Sequence, residues 1–184
     1  MRHGETEWSR LGRHTGTTDL PLTENGRAAA QALGPALAEE LFALVLTSPL
    51  RRARETCELA GLGRRAEIDA DLCEWNYGEY EGRTSAEIHG ERPGWVIFRD
   101  GCPGGESPEE VAARADRVID KVCAIDGDVA LFAHGHILRV LVSRWIGLSP
   151  RAGEHFLLDT STVSVLGYYG DAPAVKTWNA PVRG

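Results

Sequence analysis

Three short stretches of the chain hold the residue types that phosphate chemistry asks for. Arg2-His3-Gly4 opens the sequence, Arg51 and Arg52 follow Ser48-Pro49, and Ala133-His134-Gly135-His136 stands far downstream. Glu74 lies between them in an acidic, aromatic run. A neutral imidazole is a usable nucleophile near neutral pH, and arginine offers a fixed fork of donors that stays charged. Transferring a phosphoryl group needs both, and also a proton for the leaving oxygen. Glu74, wedged between Cys73, Trp75 and Tyr77, is placed where desolvation would hold a proton on it near neutrality. Each feature alone has a plainer reading. A lone Arg-His-Gly is usually incidental, and paired arginines more often form a solvated helix face. Glu74 by itself would be a surface carboxylate, and Trp75, Tyr77 and Tyr80 would be packing.

The elements that must position these residues follow from the pattern around them. Residues 4–22 are rich in Gly, Thr, Arg and Asp without a helical period, which reads as a loop. Thr23 caps a helix expected to run to about Leu41, with Leu33, Leu37 and Leu41 on one face and a bend at Pro35. Residues 43–47 read as a buried strand. Ser48-Pro49 then reads as an N-cap and first helical proline, which puts Arg51 and Arg52 in an anion-attracting first turn. A strand at 66–68 precedes the acidic loop 71–82, and 83–105 reads as an irregular cover over the site. Ser107-Pro108-Glu109-Glu110 is a capping box opening a helix that faces Val111, Ala115, Val118 and Val122 to the core. A strand at 129–133, a helix at 136–146 and two strands at 163–169 and 174–178 complete the chain. Strands alternating with helices predict a three-layer α/β sandwich, its central sheet mainly parallel, with ligands beyond the strands' carboxyl ends. His3-Gly4, Ser48-Pro49 and His134-Gly135 each fall at such an end.

Composition bounds the rest. The length of 184 residues suits one domain over 1–184, with a partial cover at about 71–105. Gly and Pro together number 30, too few for a low-complexity chain. A net charge of −7 opposes general attraction to nucleic acid or an anionic membrane, so any phosphate site is local. Cys57, Cys73, Cys102 and Cys123 form no CxxC pair, which suggests reduced thiols in a cytoplasmic protein and no zinc site. The apolar runs are far shorter than the roughly 18 residues of a spanning helix.

Four blocks taken together, "RHGETEW" at the start, "TSPLRRARET" at 47–56, "EWNYGEYEG" at 74–82 and "FAHGH" at 132–136, resemble the histidine phosphatase superfamily, also called phosphoglycerate mutase-like. The blocks keep the family's order and cover nearly the whole chain. The resemblance implies that His3 is the nucleophile that becomes phosphohistidine. It implies that Arg2, Arg52 and His134 clamp the phosphoryl oxygens and that Glu74 serves first as acid and then as base. Thr15 and Gly16 match positions that bind phosphate or substrate through hydroxyl and backbone N–H, and Tyr77 sits near the acid. Ser9 stands where many members carry asparagine, so a shorter donor would reach the phosphate less directly or through water. His136 either supports His134 or merely starts a helix, while His14, His89 and His155 read as structural or solvent-exposed.

Within the superfamily, the blocks look closest to sedoheptulose bisphosphatases and related bacterial acid phosphatases. The implied activity is hydrolysis of small phosphate monoesters, with sugar phosphates the best substrate class, no cofactor, and a homodimer left open. A cofactor-dependent phosphoglycerate mutase is the same-class alternative, although residues 83–105 are short and carry few cations for it. A metal-dependent hydrolase using His134 and His136, which chelators would inactivate, and a silent phosphate-binding module are the alternatives of another class. The family also enters its Arg-His-Gly block from a central strand, and only Met1 precedes Arg2. The expectation is therefore an absent first strand, compensated by a segment upstream or by one pairing between the strands at 43–47 and 129–133. A charged α-amino group beside Arg2 and a frayed His3 are expected with it.

Overall fold

The computed structural model describes residues 1–182. Its central sheet is parallel, with β1 (Phe42–Thr47) flanked by β2 (Ala66–Ile68) and β3 (Asp128–Phe132). Alternation along β1 divides the core between two faces. Val45 packs with Leu33 and Leu37 of α2 (Glu24–Leu37) and Cys57 of α3 (Arg51–Leu59). Leu46, its neighbour in sequence, packs with Val111, Ala115 and Val118 of α6 (Pro108–Cys123) and Ile137, Val140 and Leu141 of α7 (Gly135–Trp145). A strand turns successive side chains to opposite faces, so this one step produces the three layers. An antiparallel pair, β4 (Thr162–Tyr169) and β5 (Ala172–Pro181), completes the described chain.

Several local expectations hold and others are corrected. Thr23 caps α2 through Gly26 N–H, and Pro35 lies inside that helix, but α2 stops at Leu37 and Leu41 is 89% exposed. Glu39 and Glu40 follow, and carboxylates at the negative end of a helix dipole disfavour another turn. Ser48 does not cap α3. The helix begins at Arg51, with Asp19 accepting Arg51 N–H at 2.6 Å, so an internal carboxylate occupies the turn expected to attract anions. Residues 83–105 are not irregular throughout. They carry α4 (Ser85–Glu91), capped by the reciprocal pair Thr84 and Glu87, and α5 (Ile97–Asp100). Ile88, Trp95, Ile97 and Phe98 anchor this cover in the core. Residues 4–22 likewise contain one helical turn, α1 (Glu7–Arg10).

The start of the chain departs most from expectation. No segment separates the strands at 43–47 and 129–133, because Val45 pairs directly with Ala130, Leu46 with Leu131 and Thr47 with Phe132. Met1–His3 instead runs along the other edge of β3. Arg2 bridges Ala133 in parallel, Ala133 N–H donates to Met1 O at 3.1 Å and His3 N–H to Ala133 O at 2.9 Å. Ser161, just before β4, closes the opposite side by donating to the carbonyls of Arg2 and His3. His3 is therefore pinned rather than frayed. Burial pulls the α-amino group down to about 5, and it donates to Leu131 O, so it adds no cation beside His3 at neutral pH.

Candidate active site

The site gathers at the carboxyl ends of β1 and β3. His3 is buried, and its Nδ1 lies 2.7 Å from the carbonyl of Gly4. A carbonyl only accepts, so the proton sits on Nδ1 and Nε2 keeps its lone pair. Burial, then the charges of Arg52 and Arg2, hold the ring well below its usual pKa, and His3 is a neutral imidazole at physiological pH. Its loop is held by close backbone packing. Gly4 N–H donates to Thr56 Oγ1 at 2.9 Å, and a Cβ on Gly4 would sit 2.5 Å from Gly26 O.

His134 precedes α7 and is fully buried, its ring centroid 5.1 Å from that of His3. Its Nδ1 accepts from Arg52 Nε at 3.1 Å, which leaves the proton on Nε2, 2.7 Å from Ser48 Oγ. Arg52 thus sets the tautomer of His134, Ser48 accepts the Nε2 proton, and His134 in turn orients Arg52. The guanidinium of Arg52 also donates to the carbonyls of Thr15, Gly16 and Thr18 at 2.9 to 3.0 Å. Arg2 donates to Leu158 O through Nη1, but its Nε is buried without a partner. Among the described residues the only other such side-chain atom is Ser161 Oγ. A buried donor left unpaired costs about 1–3 kcal/mol, which an incoming anionic oxygen would recover.

Glu74 corrects the sequence reading in direction. Burial by Trp75 and Tyr77 pushes its pKa up as expected, yet the net shift is well below the carboxylate range. The opposing pull comes from His136, by hydrogen bond and charge, from the charge of His134 and from backbone donors. Both histidines are themselves pushed toward the neutral form by burial, so the lasting part is the fixed set of N–H groups. Glu74 accepts from Trp75 N at 2.9 Å, His136 N at 3.0 and 3.1 Å, and Ile137 N at 3.0 Å. It caps the first turn of α7 and is a carboxylate there. Arg114 of α6 steadies its loop by donating to the carbonyls of Asp71 and Cys73 at 2.8 and 2.9 Å.

Beside these groups opens a cavity of about 580 Å³, bordered by His14, Ser85, His89, Trp95, Phe98, His136 and Arg139. His14 is buried and His89 and His155 are exposed, as the sequence suggests, and all three border this pocket. Burial pulls His14 down to about 4, so it is neutral near pH 7. His136 is no mere helix start. Its ring shares a 2.6 Å hydrogen bond with the Tyr77 hydroxyl, which links Tyr77 to the residue whose N–H donates to Glu74.

Three expected binding groups are engaged elsewhere. Ser9 Oγ donates to Thr6 O and accepts from Thr6 N–H in the capping box of α1. Gly16 N–H donates to Glu81, and the Thr15 hydroxyl to Arg13 O at 3.1 Å. The rings of His134 and His136 turn to different partners rather than to a common point, which weakens the two-histidine metal reading. Ser48 was read only as an N-cap, and Thr56 and Glu81 were not singled out from sequence, because their importance lies in partners 86, 52 and 65 residues away.

Comparison with known proteins identifies the family to which the chain is similar. A family model described as "Histidine phosphatase superfamily (branch 1)" matches residues 1–181. An acid phosphatase of Mycobacterium tuberculosis is 41% identical over 174 residues, covering 91% of this chain and 84% of that protein. Sedoheptulose 1,7-bisphosphatase of Saccharomyces cerevisiae is 37% identical over 181 residues, covering 80% of this chain and 66% of its own. Proteins named as phosphoglycerate mutases are also among the relatives. A solved structure of the product of a Mycobacterium tuberculosis open reading frame superimposes with a TM-score of 0.95 at 37% identity, over 99% of this chain and 96% of that one.

Proposed function

The chain belongs to the histidine phosphatase superfamily and is a phosphoric monoester hydrolase, and we propose that it hydrolyses small sugar phosphates through a phosphohistidine formed on His3. The observation that carries this reading is the free Nε2 of a buried, neutral His3 beside the unpartnered Nε of Arg2. Arg2 and Arg52 meet the phosphoryl oxygens. Nε2 attacks phosphorus, the ester P–O bond breaks, and the leaving oxygen takes a proton from Glu74. Water then gives a proton to Glu74 and attacks phosphorus, the P–N bond breaks, and phosphate leaves His3 neutral. Glu74 acquires its proton with the substrate: a phosphate dianion beside it is a like charge and raises its pKa. The pocket supports a hydroxylated carbon skeleton, with Trp95 and Phe98 as apolar faces and His14 and Ser85 as neutral polar groups. Among the described residues no helix is long and apolar enough to cross a membrane, and the four free cysteines fit a cytoplasmic location.

Rapid quenching during turnover tests the reading. An acid-labile, base-stable phosphoprotein is expected from the wild type and none from His3→Ala, which should not turn over. Hydrolysis without any such intermediate would point to direct attack by water. A panel of sugar bisphosphates, phosphoglycerates and nucleotides separates the substrate classes. Transfer between phosphoglycerates exceeding hydrolysis would favour the mutase.

A further inference from the structure

The loop from Thr15 to Thr18 lies between two opposite charges. On its carbonyl side Arg52 donates to Thr15 and Thr18 at 2.9 Å and to Gly16 at 3.0 Å. On its amide side Glu81 accepts from Gly16 N–H through both oxygens at 3.0 Å and from Thr18 N–H at 3.0 Å. Guanidinium and carboxylate therefore pull on the Thr15–Gly16 peptide unit from opposite edges and on its neighbours from alternate sides, and each bond to a charged group is stronger than a neutral one. Packing adds a third restraint. A Cβ on Gly16 would sit 2.6 Å from Trp75 O and 2.7 Å from Glu81 Oε2, so the strap lies directly on the acid loop. With Nε given to His134, these bonds take four of the five N–H donors that arginine has. They fix the plane in which the remaining one points.

We propose that Glu81 is a positioning residue for Arg52, acting through the strap Thr15–Thr18. Without its carboxylate, the N–H groups of Gly16 and Thr18 lose their acceptor and the peptide planes are free to turn. Arg52 then loses the three carbonyls that set its orientation. The same link couples the acid loop to the phosphate clamp, since Glu81 stands seven residues after Glu74. This inference rests on the reading that Arg52 meets the phosphoryl group.

The test uses vanadate inhibition and kcat/KM in a double-mutant cycle of Glu81→Gln with Arg52→Lys, with Glu81→Asp as the conservative variant. Glu81→Gln keeps the shape but offers one acceptor oxygen. It is expected to weaken vanadate inhibition and lower kcat/KM by roughly tenfold, the scale of a small misplacement of a catalytic group. Glu81→Asp should recover part of the loss. In the Arg52→Lys background, Glu81→Gln should add less than about twofold, because an ammonium cannot hold three carbonyls in one plane. Losses that multiply across the two positions, or unchanged vanadate inhibition in Glu81→Gln, would overturn the proposal. Amide exchange gives an answer even where Glu81→Gln fails to fold: Gly16 and Thr18 N–H should be protected in the wild type, and rapid exchange at both would also overturn it. A wild type that neither binds vanadate nor hydrolyses esters would sink the functional reading instead, while exchange still judges the strap.

Discussion

Glu74 shows how a residue's surroundings can reverse the role its sequence neighbours suggest. Trp75 and Tyr77 do bury it, but the first-turn N–H groups of α7 hold it ionised. Its acid function then depends on the substrate's charge, and this makes a distinctive prediction. Glu74→Gln should slow esters with poor leaving groups by about 10²–10⁴-fold, and activated aryl esters far less, measured as kcat/KM against leaving-group basicity. Equal losses across the series would place the proton donor elsewhere. At His134 the decisive partner is Arg52, whose Nε–H donates to Nδ1 and so fixes the proton on Nε2, where Ser48 Oγ accepts it. Ser48→Ala should lower kcat/KM by about fivefold, the worth of a hydrogen bond near ~1 kcal/mol. Nitrogen NMR should show His134 as the Nε2–H tautomer in both wild type and variant, because Arg52 still donates to Nδ1, and a mixture would mean that Arg52 does not hold it.

At the scale of elements, the site depends on helices that touch no substrate. α2 approaches the Arg-His-Gly loop so closely that a Cβ on Gly26 would sit 2.2 Å from Glu5 O, and one on Gly4 2.5 Å from Gly26 O. Thr23 N–H also donates to Glu5 O at 2.9 Å. Gly26→Ala must therefore push the helix away from the nucleophile's loop. Overpacking of this kind costs about 1–3 kcal/mol, which is roughly 2–4 °C of Tm per kcal/mol for a chain of this size. Displacement of His3 should also cut kcat/KM by about tenfold or more. Thermal melting and steady-state kinetics on the one variant check both, and a variant with wild-type Tm and kinetics would show that the contact yields freely. α7 works the other way, its backbone dipole acting directly on Glu74.

For the whole molecule, burial of imidazoles in the site implies a pH dependence of stability. His14 falls from the ordinary 6.5 to about 4 on folding, and His3 and His134 fall well below 6.5. The unfolded chain then binds more protons than the folded one as soon as pH drops below 6.5, so acid favours unfolding. The stabilisation is complete above pH 6.5 and is lost progressively as pH falls through the folded values, down to about 4 for His14. Tm measured from pH 7.5 to 4 should decline through that window. His14→Gln, which has no proton to gain, should decline less steeply, and a parallel decline would mean that His14 does not contribute.

Local order and chemistry were largely legible in the residues themselves. The Ser107–Glu110 capping box starts α6 where its spacing says, and the apolar runs at 43–47 and 129–133 become adjacent strands with boundaries shifted by one residue. Arg52, Glu74, His3 and His134 converge because each stands at a strand end or beside one, a rule of parallel sheets that a linear reading can apply. A capping box at Thr84–Glu87 was equally visible in type and spacing, and α4 grows from it. Only the tertiary structure decided which edge of β3 receives Met1–His3, since hydrogen bonding along a strand is the same on both sides until side chains are packed. It alone decided that Glu81 rather than phosphate takes the Gly16 N–H, that Asp19 occupies the start of α3, and that Glu74 is ionised. Protonation and donor allegiance depend on which distant groups arrive within about 3 Å, and sequence spacing carries no record of that.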